Sequence, residues 1–152
     1  MTAAKSKTVF FHHTDNEVVV FGDSQMTGQM KMPDSIAEDT YREFLKGRLR
    51  NRILFDQGDE GVSLVESDVA PGTHVLAHKH NTGQLILIVE GSMRQGSHVL
   101  NPGDGYFTPA GTAYGFVAGP EGCRYVEFRE GSVRTVTTDV TERNPARLVH
   151  EP

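Results

Sequence analysis

From Gly61 onward, short runs of Val, Leu, Ile, Tyr, Phe and Thr are interrupted at intervals of about ten residues by Gly, Pro, Asn or Asp, the texture of an all-β sandwich or barrel. It predicts strands near 62–69, 73–80, 84–90, 92–95, 97–100, 105–108, 113–118, 123–129 and 132–137. Ahead of this region Val18 to Phe21 reads as a strand, ended by Gly22-Asp23-Ser24 and followed by a polar loop from Gln25 to Met32. A helix is expected over about 35–49. Ser35 and Glu38 have capping-box spacing, and Ile36, Tyr41, Phe44, Leu45 and Leu49 recur at near-helical intervals while Arg42, Glu43, Lys46 and Arg50 face water. Arg48, Arg50 and Arg52 are locally basic, but their acidic neighbours make them a solvated face. The polar tail, with Pro145, Pro152 and the apolar pair Leu148-Val149, is either an arm docked on the body or disordered. The chain therefore divides into an extension (1–55), a barrel (56–137) and an arm (138–152).

Composition narrows the class. A chain of 152 residues suits one domain with a real core. Fifteen Lys and Arg against twenty Asp and Glu leave a net charge of −5, which offers no cationic field for nucleic acid or an anionic membrane. Cys123, the one cysteine, can form no internal disulfide, and the stretch from Met1 to Phe21 lacks the apolar run and cleavage site of a leader. The longest apolar run, Leu85 to Val89, is far too short to span a bilayer. The expectation is a soluble cytoplasmic protein. No G-x-S-x-G, phosphate loop or CxxC pair appears, so serine-hydrolase and nucleotide chemistry have no support.

In a strand, alternate side chains share a face, so Thr73 to His80 should line up His74, Leu76, His78 and His80. The turn Asn81-Thr82-Gly83 leads into a strand with Gln84, Ile86 and Ile88 on one face and Leu85, Leu87 and Val89 on the other. Antiparallel pairing of the two strands would put two imidazole nitrogens and the Gln84 amide oxygen within reach of one ion. A strand apolar on both faces must be covered on both, which predicts a homodimer through this sheet. Pro71-Gly72, Asn101-Pro102-Gly103 and Pro109-Ala110-Gly111 mark tight turns that set the register, and a slip of one residue would turn the histidines to solvent.

Gly72-x5-His78-x-His80-x3-Gln84-x6-Gly91 and Gly103-x5-Pro109-Ala110-Gly111-x2-Tyr114 resemble the two cupin motifs, G-x5-H-x-H-x3-E-x6-G and G-x5-P-x-G-x2-H, with Gln and Tyr in place of Glu and the last His. The resemblance covers roughly residues 60 to 130. It implies a cupin double-stranded β-helix, a jelly-roll barrel with the N-terminal strand and one short helix packed on it. It also implies one divalent metal ion per chain, Fe, Mn, Ni or Zn, held by His78, His80, Gln84 and Tyr114, with His74 as a substitute ligand. A neutral Gln ligand leaves the ion's double charge intact and makes it a stronger Lewis acid. Tyr114 either binds the ion or works beside it as a general acid or base. Its plainer role is an aromatic core pair with Phe116, and that of Gln84 is an amide orienting His80.

The resemblance first implies a dioxygenase acting on a small organic substrate. The neutral Gln and the phenol suit a lyase or isomerase in which Tyr114 moves the proton, and a non-catalytic small-molecule-binding barrel is the third expectation. Glu127, in the apolar run Tyr125-Val126-Glu127-Phe128, needs a partner if it faces inward and is then a candidate base; with the other parity it faces water. Tyr106 and Tyr125 would form pocket walls. Cys123 reads as a small buried hydrophobe and His12-His13 as surface, while His98 and His150 have no evident partner.

Overall fold

Alternation along the chain becomes a ten-stranded sheet rolled on itself. A computed structural model describes residues 7–16, 18–20 and 29–148, so Phe21, most of the expected loop from Gln25, Val149 and His150 lie outside the described residues. The elements are β1 (Val18–Val20), β2 (Met30–Lys31), α1 (Glu38–Leu45), β3 (Leu49–Asp56), β4 (Val62–Val69), β5 (His74–His80), β6 (Gln84–Gln95), β7 (His98–Leu100), β8 (Gly105–Thr108), β9 (Tyr114–Glu130) and β10 (Thr138–Val140). Among the described strands all pairings are antiparallel except that of β10 with β2.

The expected all-β barrel is present, and β9 is its spine. Its distal half lies between β4 and β6, and its first residues pair with β5. Because facing residues in a ladder share a side, register builds inward rungs across four strands. Val65, Glu127, Ile86 and Tyr106 form one rung; Ser63, Arg129, Gln84 and Thr108 form the next. Ile86, Ile88, Met93, Phe116 and Tyr125 fill the interior. Fully burying one such side chain contributes roughly 1.5–3 kcal/mol. The outward row of β6 is left open: Leu85 is 51% exposed and lies beside Phe107 (63%) and Phe128 (43%) on the neighbouring strands.

Several expected boundaries move, each for a local reason. The strands expected at 84–90 and 92–95 run together as β6, and 113–118 and 123–129 run together as β9, because irregularities at Ile88/Glu90 and Gly91/Met93 bend the ladder without ending it. Residues 132–137 form a turn at 133–135 with irregular flanks, and the strand that follows is β10. The helix is shorter than expected and makes no capping box. The Ile36 N–H donates to the Pro33 carbonyl to close a turn, so the helix starts at Glu38 with Ala37 as its cap. It ends at Leu45, just before Gly47 adopts φ +78°, and Leu49 already belongs to β3. The alternation of Leu49, Asn51 and Ile53 with Arg50 and Arg52 is strand periodicity, and the expected helix takes in its first residue, Leu49.

Tyr41 and Leu45 of α1 pack on the barrel, and the Tyr41 hydroxyl accepts the Leu76 N–H at 3.2 Å. Among the described residues no helix is long and apolar enough to cross a membrane.

The close approach of β6 to β9 requires Gly91. Its φ is +69°, and a Cβ there would lie 2.0 Å from the Gly122 carbonyl oxygen. Gly91→Ala is expected to destabilise the fold by roughly 1–3 kcal/mol from backbone conformation alone, and further through the clash. Urea unfolding measures this, and a variant as stable as the parent would show that the two strands do not meet this way.

Candidate active site

The site begins with an irregularity. From Val75 to His78 β5 takes three steps where β9, from Phe116 to Tyr114, takes two, so β5 carries one extra residue. Beyond the extra residue the parity of β5 is reversed. Val75, His78 and His80 line a cavity of about 100 Å³ together with Tyr114 and Phe116. His74 faces the other way, opposite Val117, with Nε2 3.2 Å from Glu142 Oε2. The expectation that His74 shares the face of His78 and His80 is thus corrected, and His74 is no substitute ligand, because a bulge breaks strict alternation.

Both cavity histidines are held by the backbone. His78 Nδ1 donates to the Leu76 carbonyl at 2.6 Å, and His80 Nδ1 donates to the Thr137 carbonyl at 3.1 Å, with Thr138 Oγ1 also near, at 3.2 Å. These bonds place the proton on Nδ1 and leave Nε2 of each ring as a lone-pair acceptor, which in His80 faces the Tyr114 hydroxyl. Burial, aided by the Arg129 charge, lowers the His78 pKa to about 4; burial, then the His78 and Arg129 charges, lower that of His80 to about 2. Both rings are therefore neutral at pH 7. Tyr114 faces His78 in the ladder, and its hydroxyl lies 3.4 Å from His80 Nε2. Burial pushes this phenol up to about 12, against the lowering influence of Gln84 and of Arg129, so it keeps its proton.

Gln84, at the motif position, is engaged by a cation. Its Oε1 accepts from Arg129 Nη2 at 2.6 Å, while its buried Nε2 has no hydrogen-bond partner among the described residues. The same Nη2 donates to Glu127 Oε1, and Arg129 Nη1 reaches Thr82 Oγ1 at 3.2 Å. Glu127 faces inward, as the reading that called for a partner requires, and its charge is matched by Arg129. Sequence reasoning missed Arg129, although positions 123, 125, 127 and 129 share one parity and pointed inward together.

Two of the expected ligands fit a divalent ion. His78 and His80 each present a neutral Nε2 with Nδ1 fixed by a carbonyl, the arrangement that orients metal-bound histidine. The Gln84 oxygen already accepts from a guanidinium. Among the described residues no three His, Cys, Asp or Glu side chains gather closely enough to hold an ion.

The remaining candidates settle as follows. Tyr125 stacks edge-on with Phe116 in the wall, and the Tyr106 ring lies 5.7 Å from that of Tyr114. Cys123 is buried, which pushes its thiol up to about 12 and leaves it un-ionised. His13 bonds Glu66 at the surface, and His12 and His98 are exposed.

Comparison with known proteins agrees on architecture. No protein-family model and no curated protein matches the sequence. Among solved structures, an RmlC-like cupin protein from Ralstonia eutropha JMP134 is 14% identical, with a TM-score of 0.61 over 82% of this chain and 69% of that one. The polyketide cyclase RemF from Streptomyces resistomycificus is 23% identical, with a TM-score of 0.56 over 81% and 79%. A structure reported for DMSP lyases is 16% identical, with a TM-score of 0.54 over 64% of this chain and 54% of that one. The chain has the cupin fold.

Arg129→Met would leave the Glu127 carboxylate buried without its partner, at an expected cost of about 3–5 kcal/mol. Adding Glu127→Gln should recover much of that loss in urea unfolding, giving a non-additive cycle. Additive losses would show that the two side chains are not coupled.

Proposed function

We propose that this cupin-fold barrel is an enzyme, a lyase or isomerase that moves a proton on a small organic molecule, with Tyr114 as its acid–base group and a divalent ion at His78 and His80. The observation that carries the reading is the protonated Tyr114 hydroxyl beside two neutral imidazoles inside one small cavity. The cavity walls, with Val75, Phe116, Tyr125 and Val136, are mostly apolar, which suits a compact substrate body, and polar groups of His78, His80, Tyr114, Glu127 and Arg129, with Asn51 and Thr138, are available for recognition. When bound, a divalent ion supplies Lewis acidity for a developing oxyanion. His78 and His80 offer it Nε2, while the Leu76 and Thr137 carbonyls keep both rings in the required tautomer. Tyr114 donates its proton to the substrate and takes one back, and the surrounding side chains exclude water.

Dioxygenase chemistry has less support. The donors named for the ion are neutral, and the carboxylate that the described residues bring to the cavity wall, Glu127, is paired with Arg129. A donor set without an anion favours Lewis-acid work over oxidation of the metal. The fold by itself does not choose between these chemistries.

Metal content by plasma mass spectrometry on untagged protein is expected to be near one ion per chain, lost in His78→Ala and His80→Ala and kept in Tyr114→Phe and Gln84→Leu. A panel of small ketones and 2-oxo acids, incubated under nitrogen in D₂O, should show deuterium entering at carbon, about 10²–10⁴-fold slower with Tyr114→Phe. Oxygen uptake without exchange would favour the dioxygenase. Metal content unaffected by either histidine change, with binding but no turnover, would make the barrel a binding protein.

We also propose that a second copy covers the outer row of Leu85, Leu87, Phe107 and Phe128. These apolar side chains are contiguous across three strands, a patch that monomeric proteins seldom leave open. Light scattering should give a dimer for the parent and a monomer for Leu85→Glu/Phe107→Glu; a monomeric parent would refute this.

A further inference from the structure

The bulge in β5 has an owner outside the barrel. An extra strand residue leaves backbone groups that the ladder does not pair, and buried groups of this kind need partners. Here the segment following β10 provides them. The Ala77 carbonyl accepts the Thr141 N–H (2.8 Å), the Glu142 N–H (3.2 Å) and the Thr141 hydroxyl (3.1 Å). The Ala77 N–H donates to Glu142 Oε2 at 3.1 Å, and the same oxygen lies 3.2 Å from His74 Nε2. Arg147 Nε holds the other carboxylate oxygen at 3.6 Å. On the opposite side, Gly115 leaves the bulge room: a Cβ there would fall 2.8 Å from Ala77 N and 2.9 Å from the Val75 carbonyl oxygen.

We propose that Glu142 is a positioning residue of the site: by binding both Ala77 N–H and His74 Nε2, it locks the bulge that turns His78 into the cavity and His74 out of it. Without this acceptor, β5 has a competing register in which regular alternation continues from His74 through Leu76 to His78, on the face away from Phe116. The same stretch of chain also orients the second imidazole, through the Thr137 carbonyl and Thr138 Oγ1 on His80 Nδ1. Residues 137–142 therefore set the direction of both rings, although none of them belongs to either cupin motif.

This inference rests on the reading that the face carrying His78 and His80 is the functional one, and its test separates the two. The imidazole ¹H–¹⁵N spectrum reports His78 directly, because an Nδ1–H bonded to a carbonyl at 2.6 Å gives a strongly downfield proton; Zn²⁺ titration by calorimetry reports the site. Glu142→Ala is expected to shift or broaden the His78 Nδ1–H signal and to weaken Zn²⁺ binding at least tenfold, with the circular dichroism of the fold retained. Glu142→Gln keeps an acceptor oxygen for Ala77 and should restore the signal and bring binding within about threefold of the parent. An unchanged His78 signal in Glu142→Ala overturns the proposal, as does a Gln variant no better than the Ala variant. If Glu142→Ala does not fold, Glu142→Asp, too short to reach both partners, should move the same resonance, and an unmoved resonance there overturns it equally. Absence of Zn²⁺ binding in the parent would count against the metal reading alone, leaving the spectrum to decide on Glu142.

Discussion

Everything distinctive about the cavity depends on one extra residue in β5. A barrel strand with perfect alternation presents every second side chain to the interior, and the histidines at 74, 78 and 80 would then share a side. The bulge between Val75 and His78 divides this set. Two imidazoles enter the cavity beside Tyr114, and the third becomes an attachment point for the C-terminal segment. The bulge exists because something satisfies it on one side and nothing obstructs it on the other. Glu142 and Thr141 take its backbone groups, and Gly115 leaves the space a side chain would fill.

The second constraint is the polar content of the interior. A buried charge is tolerated when it is paired and hydrogen-bonded, and this barrel meets the condition with one connected group. Arg129 binds Glu127, Gln84 and Thr82 at once. That arrangement answers two questions together: why a carboxylate can face inward from an apolar strand, and why the glutamine at the cupin glutamate position faces a guanidinium. The same cation helps to keep both imidazoles unprotonated. The site thus combines neutral lone pairs, a protonated phenol and a charge pair held beside them, a division of labour suited to proton transfer and Lewis-acid chemistry.

Much of the fold was legible because its signals are local. Strand periodicity, the glycine and proline turns, and the spacing of His78, His80, Gly91, Pro109 and Gly111 all act over a few residues, and the barrel follows from them. The misreadings were local ambiguities, resolved by a pairing with a distant strand in one case and by a neighbouring turn in the other. Leu49 fits the end of the helix face in isolation and opens a strand because β4 pairs with it. Ser35 and Glu38 have capping-box spacing, yet Pro33 closes a turn first. The tail, ambiguous alone, docks because β10 finds β5 on one side and β2 on the other.

By itself the sequence determined the architecture, the pair His78 and His80, and Tyr114 as their neighbour, because turn residues fix register and register fixes which side chains meet. Tertiary structure alone decided that His74 is excluded, that Gln84 belongs to Arg129, and that Glu142 secures the bulge. These outcomes hinge on contacts between residues dozens of positions apart, 45 for Gln84 with Arg129 and 65 for Ala77 with Glu142. No local pattern records them, since a bulge reverses strand parity without altering the composition of the strand, and a buried amide takes whichever partner the neighbouring strand brings to it.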